Sequence, residues 1–106
     1  MPILPKVHPL QKCLARIFLS NKNTACGTGV VLSGGKILTC AHVVRTALSL
    51  PRESREKPER TITLDFPLTE STQRVNAKVI FWDSDSDLAG LEILEAMPQE
   101  IQPTPL

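Results

Sequence analysis

The chain has 106 residues, of which 42% are hydrophobic and 22% are charged, and its formal net charge at pH 7 is +1. This length and composition fit one globular domain with a modest core, and the balanced charge excludes the basic stripe typical of nucleic-acid-binding proteins. No apolar run approaches the roughly 18 residues that a membrane-spanning helix needs, so we expect neither nucleic acid nor membrane as a partner.

The first third of the chain is predicted to be extended. Residues 1–9 contain three prolines and are expected to form an extended lead-in. From Cys13 to Leu19 the side chains alternate between two faces, and this period of two predicts a strand. Residues 21–23, Asn-Lys-Asn, predict a turn. A β-rich run over residues 27–32 then leads into Ser-Gly-Gly at 33–35, which is a hairpin signal.

The middle of the chain predicts a strand, a short helix and a charged loop. Residues 36–41 continue as a strand, and His42 to Leu48 fit one or two helical turns. Residues 51–60 hold seven charged residues and two prolines, which is typical of a solvated surface loop.

The last third predicts three more strands. Apolar side chains alternate with polar ones at 62–66, then at Val75 to Trp82 with Phe81 on the apolar face, and a final strand covers Leu88 to Leu94. About six short strands without a long helix predict an all-β barrel or sandwich, and the pattern leaves these two open. Residues 97–106 contain three prolines and predict a linker.

Cysteine usage and the start of the chain predict a reducing compartment. The three cysteines, Cys13, Cys26 and Cys40, are an odd number. The prolines near the start interrupt the apolar region that a secretory signal peptide requires. We therefore expect reduced thiols and a cytoplasmic location. There is no Cys-x-x-Cys, and His8 lies far from His42 in sequence. The spacing thus predicts no metal site and no cofactor.

His42 is the first candidate for chemistry. It ends an apolar strand just before the predicted helix, a position that fixes the backbone while the imidazole faces open space, as a general base requires. A lone histidine is more often structural than catalytic. However, the segment from Gly27-Thr-Gly-Val-Val to Ile37-Leu-Thr-Cys-Ala-His42 resembles the block around the catalytic histidine of trypsin-like serine peptidases, particularly bacterial and high-temperature-requirement-type members.

The resemblance extends to a second motif. The family has a carboxylate in an Asp-(Leu/Ile/Val)-Ala-x-Leu stretch, and of the candidates Asp65, Asp83, Asp85 and Asp87 only the last matches, as Asp-Leu-Ala-Gly-Leu. It implies His42 as the general base and Asp87 as the carboxylate that orients the imidazole. The other two carboxylates nearby, Asp83 and Asp85, are interpreted as loop residues that bind their own backbone. The implied fold is a six-stranded antiparallel Greek-key β-barrel over residues 10–96, one half of a two-barrel enzyme.

Two departures from the family bear on function. Cys26 matches the first cysteine of a disulfide found in secreted members, but Val43 stands at the second position, so we expect no such bond; Cys40 is expected to be a buried, inert thiol. In addition, the nucleophile of the family lies in a Gly-x-Ser-Gly loop of the second barrel, and no such motif occurs here.

The resemblance therefore implies half of a serine endopeptidase, inactive alone, with a polypeptide substrate. Its partner is a second, serine-bearing barrel, either a separate chain or a missing C-terminal segment, or another copy by self-association, because an isolated half is expected to expose an apolar patch near His42 and Asp87. Two alternatives stay open: a non-catalytic, peptidase-like binding or regulatory module, and an unrelated β-barrel.

Overall fold

The structure, a computed structural model, describes residues 14–20, 22–67 and 73–95. The predicted lead-in and linker, Cys13 and the first residue of the predicted turn lie outside these ranges. The described residues form six strands and one short helix, which are β1 (Leu14–Phe18), β2 (Ala25–Leu32), β3 (Lys36–Thr39), α1 (Ala41–Ala47), β4 (Ile62–Asp65), β5 (Val75–Asp83) and β6 (Leu88–Ile93). No helix in this part of the chain is long and apolar enough to cross a membrane.

The strands close into an antiparallel barrel. Going round it, the order is β1, β2, β3, β6, β5, β4, and β4 pairs with β1 again. Strands β3 and β6 are far apart in sequence but adjacent in space, which gives the Greek-key connection. Closure leaves no sheet edge among these strands. The structure confirms the predicted all-β barrel and decides against the sandwich.

The core follows the predicted alternation. Ala15 and Ile17 of β1, for example, are fully buried inside the barrel, and Leu64 of β4 is buried in the same way. The prediction is wrong at Phe81, which we expected to face the core. The pairing of β5 with β6 shifts register between Val79 and Phe81, so this bulge rotates the Phe81 side chain outward, where half of it is exposed.

The charged loop at 51–60 is exposed over most of its length, as expected, but it is also fixed to the barrel. The indole Nε1 of Trp82 donates to the Arg55 carbonyl at 3.0 Å, and Arg55 forms an ion pair with Asp85 in the β5–β6 turn. The guanidinium of Arg45 in α1 donates to the Ser54 carbonyl at 3.3 Å. These contacts connect the loop to α1 and to the β5–β6 turn, which both flank the end of β3.

Candidate functional site

His42 lies in the first turn of α1, immediately after β3. The strand is fixed at its end because the Thr39 hydroxyl donates to the Thr28 carbonyl of β2 at 2.7 Å. The helix lies close to β2 at Gly27, where a methyl group in place of a glycine hydrogen would lie only 2.6 Å from the Val43 side chain. The first glycine of the Gly-x-Gly motif is therefore needed so that α1 can pack against β2, and this packing positions His42 relative to the barrel.

Asp87 ends the turn between β5 and β6. The turn is closed by Asp83, whose Oδ1 accepts hydrogen bonds from the amides of Asp85 and Ser86, both at 3.1 Å. Asp87 itself has a φ of 57°, in the left-handed region that aspartate and asparagine tolerate better than most residues. A non-glycine residue held there often marks a functional position.

The fold brings these two residues together although 45 positions separate them. The Asp87 carboxylate bridges the histidine: Oδ2 lies 2.5 Å from the ring Nδ1, and Oδ1 accepts the His42 amide at 2.8 Å. A further hydrogen bond runs from the Ala41 amide to the Asp87 carbonyl at 3.2 Å. Because Cys40, at the N-cap of α1, makes no side-chain cap, the carboxylate supplies an acceptor that the first turn lacks. One side chain thus orients both the helix and the imidazole.

The electrostatics of the pair favour an ionised carboxylate. The hydrogen bond from the His42 ring, followed by that from its amide, lowers the pKa of Asp87 below the usual aspartate value. The positive charge of Arg45, whose NH2 lies 4.0 Å from Oδ1, acts in the same direction. The pair is nevertheless open to solvent, since 60% of the His42 side chain and 43% of that of Asp87 are exposed. In a complete Ser-His-Asp triad the aspartate is buried.

Arg45 is a site residue that the sequence reasoning missed. Its side chain is only 14% exposed, lies over the Trp82 ring at 5.8 Å from the centroid, and binds the Ser54 carbonyl. It therefore links the 51–60 loop to Asp87. Its position three residues after His42, which places both side chains on one face of a helix, was the available signal.

The remaining aspartates have other partners. Asp65 accepts two hydrogen bonds from Arg16, at 3.0 Å from Nε and 2.7 Å from NH2, across the β1–β4 pair. Asp83 binds its own turn, as predicted, whereas Asp85 pairs with Arg55. Among the four sequence candidates, only Asp87 contacts the histidine.

Both described cysteines are free thiols. Cys26 is half-buried and its thiol donates weakly to the Val43 carbonyl, and burial raises the pKa of this thiol. Cys40 differs from the expectation of a buried thiol. It is only partly buried, and its Sγ lies within 4.8 Å of a ligand atom of His42 and of Asp87.

An apolar strip runs beside the pair on the outside of the barrel. In the sheet register, Leu38 of β3 and Phe81 of β5 both lie opposite Gly90 of β6, and Leu88 is two residues earlier on the same face. Leu38, Phe81 and Leu88 are 40%, 50% and 39% exposed, respectively. We call these three residues the outer apolar strip. It adjoins the site because Leu88 follows Asp87 directly.

Comparisons with known proteins identify the family and the fold. The family described as trypsin-like peptidase domain matches residues 27–106. The fold resembles the MamO protease domain from Magnetospirillum magneticum, with a TM-score of 0.62 at 20% identity over 83% of this chain and 41% of that one. It also resembles the Rv3671c protease from M. tuberculosis in its active form, with a TM-score of 0.54 at 20% identity over 92% of this chain and 35% of that one. No curated protein matches the sequence.

The share of each solved structure that this chain covers also indicates how much of the fold is present. The chain spans about two fifths of the MamO domain and a little over a third of the M. tuberculosis protease. The part that it spans is a closed six-stranded barrel. The chain therefore belongs to the trypsin-like peptidase family, and its fold is that of the N-terminal barrel half.

Proposed function

We propose that this chain supplies the general base, His42, and the orienting carboxylate, Asp87, of a serine endopeptidase. The observation that carries the proposal is the double contact between them, in which the two carboxylate oxygens bind the ring Nδ1 and the backbone amide of one histidine. The bond to the amide fixes the carboxylate against the His42 backbone, and the bond to Nδ1 then holds the ring in one orientation.

The proposed chemistry follows from that contact. A hydrogen bond from Nδ1–H to the carboxylate selects the tautomer whose Nε2 is unprotonated and faces solvent. Nε2 accepts the proton of a serine hydroxyl while the serine oxygen attacks a peptide carbonyl, and the proton then passes to the leaving amine. The ionised Asp87 stabilises the imidazolium in between. Water subsequently hydrolyses the acyl-enzyme by the same proton path.

The serine belongs to a partner barrel in this proposal. No Gly-x-Ser-Gly occurs in the sequence, and the His42–Asp87 pair lacks the cover that a triad needs. The outer apolar strip beside Asp87 is a surface that favours association. The chain alone is therefore expected to be inactive, and a serine-bearing barrel is expected to dock over this end. Its cytoplasmic location stays a prediction.

The substrate in this proposal is a polypeptide. A cavity of about 390 Å³ lies beside the histidine and is lined by His42, Arg45, Thr46, Leu50 and Arg52. By resemblance to the family, this is the leaving-group side of the scissile bond. The pocket that selects the residue before that bond belongs to the second barrel, so this chain contributes only part of the specificity.

The test is to search the downstream reading frame and any co-purifying chain for a serine-bearing barrel, and to treat its complex with this chain with a fluorophosphonate probe. We expect labelling of the serine that is lost in His42→Ala and retained in His8→Ala, which removes the other histidine. Labelling that persists in His42→Ala would overturn the assignment of the base. If no serine-bearing barrel binds the chain, the non-catalytic binding module becomes the better interpretation.

The docking surface has its own test. Phe81→Asp places a charge in the outer apolar strip and is expected to abolish association with the partner barrel or with a second copy, measured by analytical ultracentrifugation. The matched control is Leu94→Asp, because Leu94 is also 50% exposed but follows β6 at its other end, about 20 Å along the strand from Leu88. Equal loss of association in both variants would contradict the assignment of the surface.

A further inference from the structure

Three potential metal ligands of different chemistry meet at the end of β3. The Sγ of Cys40, a ring nitrogen of His42 and a carboxylate oxygen of Asp87 all lie within 4.8 Å of one another. Sequence spacing gave no sign of this, since Asp87 is 45 residues from the histidine. Barrel closure, which pairs Thr39 with Ala89, places the β5–β6 turn against the N-terminus of α1.

We propose that Cys40 Sγ, His42 Nδ1 and Asp87 Oδ2 form a three-ligand site for Zn²⁺. Thiolate, imidazole and carboxylate are the three protein donors that Zn²⁺ takes, at about 2.0–2.3 Å, and three protein ligands plus a water are typical of open zinc sites. The exposure of His42 and Asp87 leaves room for that water and for entry of the ion.

The geometry needs a small rearrangement. Tetrahedral ligand atoms around zinc are about 3.3–3.7 Å apart, as follows from the bond lengths. The Nδ1–Oδ2 distance of 2.5 Å therefore has to widen by about 1 Å, and the sulfur, which starts within 4.8 Å of the other two ligand atoms, has to reach the same spacing. The amide of His42 keeps its hydrogen bond to Oδ1 meanwhile, so the carboxylate stays anchored.

The other described thiol is less suited to this role. Both thiols are packed against the core, but that of Cys26 donates to the Val43 carbonyl and burial raises its pKa, so the protonated form that cannot ligate zinc is favoured. Cys40 has no such hydrogen bond among the described residues, and it is the cysteine grouped with the histidine and the carboxylate. Cys26 is therefore the natural control.

Zinc binding and proton transfer exclude each other at this site. The ion takes the place of the proton between Nδ1 and Oδ2, the neutral imidazole then carries its proton on Nε2, and the Cys40 thiol releases its own proton, so one proton leaves for solvent per ion bound. Loss of the Nδ1–H hydrogen bond removes the contact that orients the imidazole. This consequence, which rests on the proposed function, makes zinc an inhibitor; the binding site itself does not depend on that function.

The experiment titrates the chain with Co²⁺, as a spectroscopic substitute for Zn²⁺, and then displaces it with Zn²⁺. We expect a thiolate-to-cobalt charge-transfer band in the near ultraviolet that saturates at equimolar metal and disappears when zinc is added. The double variant Cys13→Ser/Cys26→Ser retains Cys40 as the remaining thiol and is expected to keep the band. In Cys40→Ser the band is lost and zinc affinity falls by more than about 100-fold, since even outer-shell partners are worth roughly 10- to 100-fold.

Asp87→Asn adds a variant that keeps the fold, because asparagine also tolerates the left-handed φ at this position. We expect it to keep the thiolate band but to bind zinc at least about tenfold more weakly. Long-range ¹H–¹⁵N spectra of the zinc-loaded chain are expected to show metal on Nδ1 of His42. Absence of a thiolate band in the parent chain, a band that persists in Cys40→Ser, or unchanged zinc affinity in Asp87→Asn overturns the site. Circular dichroism of each variant separates these results from unfolding, and none of them depends on peptidase activity.

Discussion

The Arg16–Asp65 pair and the His42–Asp87 pair each join a carboxylate to a cationic or basic residue by two hydrogen bonds, from the guanidinium in the first pair and from the ring and the backbone amide in the second, yet their surroundings differ. The Asp65 side chain is 10% exposed and lies within the barrel wall between β1 and β4. The Asp87 side chain is 43% exposed, lies in a turn and has a strained φ. A carboxylate that is nearly buried beside its ion-pair partner stabilises the fold, whereas an exposed carboxylate held by two hydrogen bonds is available for chemistry.

The largest expected effect concerns activity at Asp87. In the complex with a serine-bearing barrel, Asp87→Asn is expected to slow fluorophosphonate labelling by about 10⁴-fold, because an amide favours the wrong histidine tautomer. The fold should be kept, since asparagine suits the left-handed φ and its amide oxygen still accepts the His42 amide, although loss of the charge whose pKa is lowered in the folded chain reduces the free energy of unfolding. Labelling kinetics and urea denaturation of the same sample measure both. A labelling rate within tenfold of the parent's contradicts the proposed role.

The reciprocal change at Asp65 is expected to affect stability and not labelling. Asp65→Ala removes two charge-assisted hydrogen bonds from a nearly buried position and is expected to cost about 2 kcal/mol of unfolding free energy, measured by urea denaturation. Glu92→Ala, which removes only exposed ion pairs, is the matched control and should cost much less. If Asp65→Ala slows labelling of the folded protein as much as Asp87→Asn does, the distinction between the two pairs fails.

Substitution of Gly27, which packs against α1 beneath the site, is expected to have a smaller effect, both on stability and on the position of α1. Gly27→Ala is expected to cost about 1–2 kcal/mol, because the new methyl group meets the rigid Val43 side chain at 2.6 Å and pushes α1 away from β2. The double variant Gly27→Ala/Val43→Ala should be more stable than the sum of the single changes predicts. Strict additivity in the urea-denaturation cycle would show that α1 does not depend on this close approach.

The smallest expected effect is a pH-dependent change in stability at Asp83, which begins the β5–β6 turn that Asp87 ends. Hydrogen bonds from Ser86, and then from the Asp85 amide, lower the pKa of Asp83 in the folded chain. A depressed folded-state pKa means that the stabilisation is present above the unfolded value, near 3.9, and is lost as pH falls through the folded value. The Tm of Asp83→Asn should therefore lie below that of the parent at neutral pH and converge with it as the pH falls below the lowered pKa of Asp83. A constant difference across this range would contradict the role of the Asp83 charge.

Local patterns predicted most of the barrel. Alternation located β1, β4 and β5, and β-rich composition located the other three strands, to within two residues at their ends. Alternation works because a strand half-buried in a barrel wall must present apolar side chains at every second position. The same rule failed at Phe81, since a bulge depends on how β5 matches its neighbour and not on β5 alone. The 51–60 loop was interpreted from its charge only, so its attachment through Trp82 and Arg45 was missed.

For the candidate site, the sequence by itself selected His42 and Asp87, because each stands in a recognisable motif. Residues of the first motif, such as Gly27 and Thr39, are constrained by contacts with neighbouring elements. Only the tertiary structure decided what surrounds the two site residues. The enclosure of Asp65 by Arg16, the position of Arg45 next to Asp87, and the approach of Cys40 to both site residues all depend on barrel closure. Closure joins segments tens of residues apart, and periodicity, which reports one strand at a time, contains no information about which segments will meet.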